Sequence, residues 1–131
     1  MIMVFGRRTS PEDAARYAAD RETAREYPGR IAAVERAEAA LLQARSGHAS
    51  GTEVRGLHGA LEDALREAIA AAEAAERVAM GPRTYGSTRA AEISRRKARA
   101  KAAVRPYSEE LDRLRTAREA HKLSFRALTR V

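Results

Sequence analysis

No cysteine, tryptophan or asparagine occurs in the 131 residues, and glutamine occurs once, as Gln43. Without cysteine there is no disulfide and no thiolate metal site, and a reducing compartment is the expected setting. Without asparagine, and with Gln43 far from the chain's most basic stretch, the amides that read adenine edges in a DNA groove are missing. No apolar run approaches the ~18 residues that cross a bilayer. The opening "MIMVFGRRTS" carries its arginines after a short apolar run, whereas a secretory signal carries positive charge before a longer one. A soluble, cytoplasmic protein is expected. Large apolar residues are also scarce: Leu, Ile, Val and Phe supply 21 positions against a net charge of +7, a balance often found in disordered chains.

What is present points the other way. Ala, Glu, Lys, Leu and Arg fill 78 positions, 30 of them Ala. That is the composition of long helices and coiled coils, and Ala is the strongest helix former. The length fits one domain. The expected fold is all-α, with about five helices and a thin, alanine-rich core. Arg outnumbers Lys by 22 to 3; the guanidinium fork suits phosphate and carboxylate, but a GC-rich coding sequence accounts for the same excess.

Residues 1–9 read as a short arm, with Ile2 to Phe5 the one stretch able to pair as an edge strand, and residues 10–131 read as a single helical domain. Ser10-Pro11-Glu12-Asp13 has a capping hydroxyl, a first-turn proline and acids at the positive end of a helix. This helix is predicted over 10–26, ended by Tyr27-Pro28-Gly29. Two further helices, 29–45 and 52–80, flank the loop "SGHASG". In the longer one Val54, Leu57, Leu61, Ala64, Ala68, Ala71, Ala75 and Val78 follow three-four spacing, widened by Leu65, Ile69, Ala72 and Ala79. The pair is expected to form a long antiparallel, coiled-coil-like hairpin. After "GPRTYGS", a helix over 88–105 should stop before Pro106, and Ser108 with Glu109 and Glu110 should open the last, 109–130.

The charge is local. Residues 81–107 carry eight cations and Glu92 alone as an acid, a net +7, while the remainder of the chain sums to zero. Within it "ISRRKARAKAAVRP" holds six cations and no acid. On one straight helix, Ile93, Ala100 and Val104 make a narrow apolar line. Arg89, Arg95, Arg96 and Arg99 flank one side of it, and Lys97, Lys101 and Arg105 the other. Three readings fit. The ridges grip phosphates, giving salt-dependent and largely sequence-independent binding. Alternatively they lie on anionic lipid, for which one Ile and one Val are a poor substitute for the Trp, Phe or Leu that such helices bury. Or they face solvent or an acidic protein surface. Tyr85 and Tyr107, bracketing the segment, either stack on unpaired bases or act as half-buried pegs.

Catalytic signatures are missing. His48, His58 and His121 fall in no zinc-ligand spacing. His48 sits in the Gly/Ser loop, and His121, on the apolar face of the last helix, reads as a buried, hydrogen-bonded imidazole. Glu62-Asp63 and Glu109-Glu110 are helix neighbours about 100° apart, so neither pair flanks one substrate bond. Glu35, Glu38, Glu73 and Glu76 lack the histidine of Glu-x-x-His di-metal bundles. No phosphate-binding glycine loop and no nucleophile elbow occurs. The expectation is therefore no enzyme, no metal and no cofactor. In its place we expect a nucleic-acid-binding accessory protein acting through Arg89, Arg95, Arg96, Lys97, Arg99, Lys101 and Arg105. The alternative is a helical assembly or adaptor protein, for example a component of a phage or other multisubunit particle. It would associate through an exposed alanine seam, and a homo-oligomer is expected under either reading.

Overall fold

In a computed structural model of the chain, residues 9–129 are described, and they form five α-helices, one 3-10 turn and no strand. The expected arm falls, apart from Thr9, outside the described residues. Helix α1 (Pro11–Arg25) starts as its sequence dictates: the Ser10 hydroxyl accepts from the Asp13 amide at 3.1 Å, with Pro11, Glu12 and Asp13 in the first turn. Its expected terminator shrinks to the single residue Glu26. Helix α2 (Tyr27–Ser46) already includes Tyr27, Pro28 and Gly29. Proline is tolerated there because first-turn amides have no intrahelical acceptor. Helix α3 (Gly51–Met80) is opened by Ser50 rather than Thr52; Ser50 and Glu53 form a reciprocal capping box.

The 30-residue α3 is the element on which α1, α2 and α5 all pack. Its buried residues are His58, Leu61, Leu65, Ala68, Ala71, Ala72, Ala74, Ala75 and Met80. Leu61, Leu65, Ala68 and Ala72 cluster with Val34 and Leu41 of α2 and with Leu111 and Leu114 of α5. In the C-terminal half alanines replace leucines, and the burial spreads around more than one face, so Ala74 joins a stripe that hydrophobic spacing placed elsewhere. A buried methyl contributes about 0.8 kcal/mol against about 1.5–3 for a whole Leu. The gain is geometric: small side chains let three helices approach one. The alanine seam is thus occupied by the chain's own helices and is not left exposed.

Ion pairs sit around the rim of this packing. Arg30 of α2 reaches Glu67 at 2.9 Å, Asp20 of α1 reaches Arg77 at 2.8 Å, and Arg115 and Arg118 of α5 (Arg105–Thr129) reach Glu73 and Glu62 at 2.8 and 2.7 Å. Most of these side chains touch water, so each pair contributes about 0–1 kcal/mol. Their main effect is register. Along α3 from Glu62 to Glu76 the α5 partners run backwards from Arg118 to Ser108, so α5 lies antiparallel to α3.

The largest departure from expectation lies in the basic segment. The helix predicted over 88–105 is only α4 (Arg89–Arg99); residues 100–104 turn, and α5 begins at Arg105 with Pro106 in its first turn. Ser108, expected to cap, donates its hydroxyl to Glu76 at 2.6 Å. The apolar line of Ile93, Ala100 and Val104 does not exist as one line. Ala91 and Ala98, seven residues apart, are buried at 3% and 1%, while Ile93 is 40% exposed. Val104 reaches full burial beside Met80 and Ala98 only because the chain turns under α4. Burying Val104 and aiming α5 back along α3 outweigh the helix propensity of "AKAA".

A candidate nucleic-acid interface

Helix α4 is anchored at both ends and along one side. Thr88 caps it, its hydroxyl accepting from the Ala91 amide at 3.0 Å. Before it, the 3-10 turn Pro82–Thr84 and Tyr85 tie the segment to the bundle. Tyr85 is buried; its hydroxyl donates to the Asp20 carboxylate, its ring meets Tyr17 edge-on at 5.6 Å, and Arg16 lies over its face. Arg77 also donates to Asp20, at 2.8 and 3.0 Å. These donors, Arg77 first, hold the Asp20 carboxyl below the usual carboxylate range against its partial burial. Burial and the Asp20 hydrogen bond in turn push the Tyr85 hydroxyl well above the usual phenol range. Tyr85 therefore has no free face for a base. Tyr107 packs edge-on against Tyr27 at 5.7 Å and is half-buried. Both tyrosines are pegs.

With Ala91 and Ala98 turned inward, the helical period places the cations. Arg89 and Arg96 point directly outward, Lys97 lies on one flank and Arg99 on the other, and all four are exposed. Lys101 and Arg105 continue the exposed set through the turn. Arg95 differs from the rest. Its Nη1 donates to the carbonyls of Thr84 at 2.8 Å and Gly86 at 2.7 Å, and the side chain is half-buried. It fastens the preceding turn to α4. Of the seven residues expected at the interface, six remain outward-facing and one is structural.

None of the ion pairs among the described residues includes a residue of 81–107. Cations near a helix C-terminus, such as Lys97 and Arg99, also complement the helix dipole. Arg89 does the opposite, because it stands in the first turn, where the dipole disfavours positive charge. Beside α4 a cleft of about 390 Å³ is lined by Arg83, Lys97 and Lys101 with Thr84 and Ser94, and by no acid. On the other flank a cleft of about 270 Å³ brings Arg95 and Arg99 to Arg16, Arg77 and Arg115, and also to Glu73 and Glu76. The first cleft suits an anion; in the second, Arg16, Arg77 and Arg115 are already paired with Asp13, Asp20 and Glu73.

Arg83 is a member of this surface that helix reasoning passed over, because it lies in the turn; its place in the +7 segment was the available signal. Ile93 stands exposed among the cations. Among the described residues no group of three or more His, Asp or Glu side chains is placed to hold a metal ion, and no helix is long and apolar enough to cross a membrane. Compared with protein-family models, with curated proteins and with solved structures, the chain matches none.

Proposed function

We propose that the protein is a non-enzymatic nucleic-acid-binding accessory protein that grips the phosphate backbone with α4 and the turn after it. One observation carries this reading: Arg89, Arg96, Lys97, Arg99, Lys101 and Arg105 are exposed and without carboxylate partners, while the ion pairs among the described residues lie elsewhere. The α2–α3 pair then serves as an antiparallel, coiled-coil-like hairpin that presents the basic surface. Binding is to shape and charge, since α4 carries neither the Asn nor the Gln that reads adenine edges.

An 11-residue helix is about 16 Å long, and cations on opposite flanks do not all reach one duplex. About four phosphate contacts give a log–log salt slope near −3.6. Raising salt from ~50 to ~200 mM then weakens binding roughly 150-fold. Fluorescence anisotropy with a labelled duplex measures this, and duplexes of unrelated sequence should bind alike. Absence of binding at ~50 mM salt removes the proposal.

The assembly alternative no longer has the alanine seam to draw on. It keeps Leu42 and Leu123, exposed at 70% and 63% on α2 and α5. Light scattering over a concentration series tests it, and a strictly monomeric species counts against a homo-oligomer.

A further inference from the structure

Away from the basic surface, the buried polar side-chain atoms that lack a hydrogen-bond partner among the described residues are all in one place. They are Nε2 of His58, Nδ1 of His121 and Oε1 of Glu62. His58 is fully buried in α3 and His121 is 8% exposed in α5. Nδ1 of His58 and Nε2 of His121 stand 2.9 Å apart, so one ring donates and the other accepts. The rings stack on each other and on Phe125, with His58 and Phe125 nearly coplanar in orientation, 3° apart and 5.0 Å between centroids. Oε1 of Glu62 faces Nδ1 of His121 at 3.7 Å, while Arg118 takes the other Glu62 oxygen at 2.7 and 2.9 Å.

We propose that His58 and His121 form an acid-operated latch: it holds the C-terminal half of α5 on α3 while the pair carries at most one added proton, and it releases that half when a second arrives. With one added proton the two rings share a single N–H between them and His121 faces a carboxylate. Nδ1 of His121 donates towards Glu62, and its Nε2 donates to Nδ1 of His58. A second proton has only Nδ1 of His58 to occupy, which sets two N–H donors head to head across 2.9 Å between two buried rings. No acid offsets it on the His58 side. The charged groups around the pair are Arg45 from α2, Glu62 from α3, and Arg118 and Lys122 from α5. The ion pair of α1 with α3 lies at the other end of α3, at Asp20 and Arg77. Burial, His121 and Arg45 all disfavour the charged form of His58 and lower its proton affinity. Glu62 stays ionised, held below its ordinary range chiefly by Arg118.

The sign follows directly. The separated rings take two protons below about pH 6.5, and the closed latch takes one. The released state therefore gains one proton relative to the closed state as pH falls, and closure weakens about tenfold per pH unit below ~6.5. Above that pH the latch is at full strength.

The test is hydrogen exchange and imidazole NMR on the full chain between pH 7.5 and 4.5. Amides of α5 around Glu119 to Phe125 should lose protection about tenfold per unit below pH 6.5, while α2 keeps its protection. In parallel the two rings together should take up no more than one proton while α5 remains protected. His58→Phe keeps the ring stack, removes the titrating partner, and should cut the pH-dependent loss to less than twofold. Should the variant not fold, the wild-type titration still decides. Both rings charged with α5 protection unchanged, or an unaltered acid loss in H58F, would overturn the latch.

Discussion

Arg95→Ala and Arg96→Ala each remove one positive charge from adjacent positions of α4, and the structure assigns them opposite outcomes. Arg95 spans Thr84 and Gly86 with one nitrogen, at 2.8 and 2.7 Å. Gly86 has a φ of +98°, so this turn is held in a conformation that most residues avoid and that its hydrogen bonds maintain. A hydrogen bond involving a charged group contributes about 1.5–3 kcal/mol net. Both bonds here share one donor atom on a half-exposed side chain, so about 1.5–3 kcal/mol for the two together is the reasonable figure. At about 4 °C per kcal/mol for a chain of this size, R95A should melt roughly 6–12 °C lower. Arg96 is exposed with no partner, so R96A should stay within about 0.5 kcal/mol of wild type. It should instead flatten the salt slope of duplex binding by about 0.9. Melting by circular dichroism and anisotropy at several salt concentrations read the two effects separately. Equal melting shifts for both variants, or a salt slope untouched by R96A, would refute the division of roles.

Ala72→Leu places three extra carbons at a position with no exposure and should cost at least 1–3 kcal/mol by overpacking, read by urea denaturation. A neutral result would mean that the seam is open after all. Asp20→Asn should lower stability at neutral pH and flatten the acid limb of a stability profile. The Asp20 carboxyl has its affinity for protons reduced in the folded chain, so its contribution is present above the unfolded value near 3.8 and lost as pH falls further. An unchanged acid limb in D20N would assign that limb to other carboxylates. Urea melts from pH 7 to 2.5 measure it.

The legible part of this protein was what short-range chemistry controls. Ser10 caps a helix, the three-four spacing from Leu61 to Ala75 marks the buried side of α3, and the charge imbalance marks residues 81–107 as unlike the rest. His121 read as a buried imidazole on an apolar face, and it is buried. Its partner was less visible, although His58 stands three residues before Leu61 and seven before Leu65 and so shares their face. A pairing across 63 residues leaves no local trace in either segment.

The sequence by itself determined helical class, the cap at Ser10 and the place of the surplus charge, because each depends on backbone propensity, on composition and on neighbours three or four residues away. Only the tertiary structure decided that α4 ends at Arg99, that Arg95 serves the turn instead of the surface, and that the alanines of α3 face the chain's own helices. Those outcomes rest on Val104, Ala98 and Met80 meeting in space, and on carbonyls of Thr84 and Gly86 left facing a guanidinium. Packing of that kind is settled by contacts between distant residues, which local periodicity does not encode.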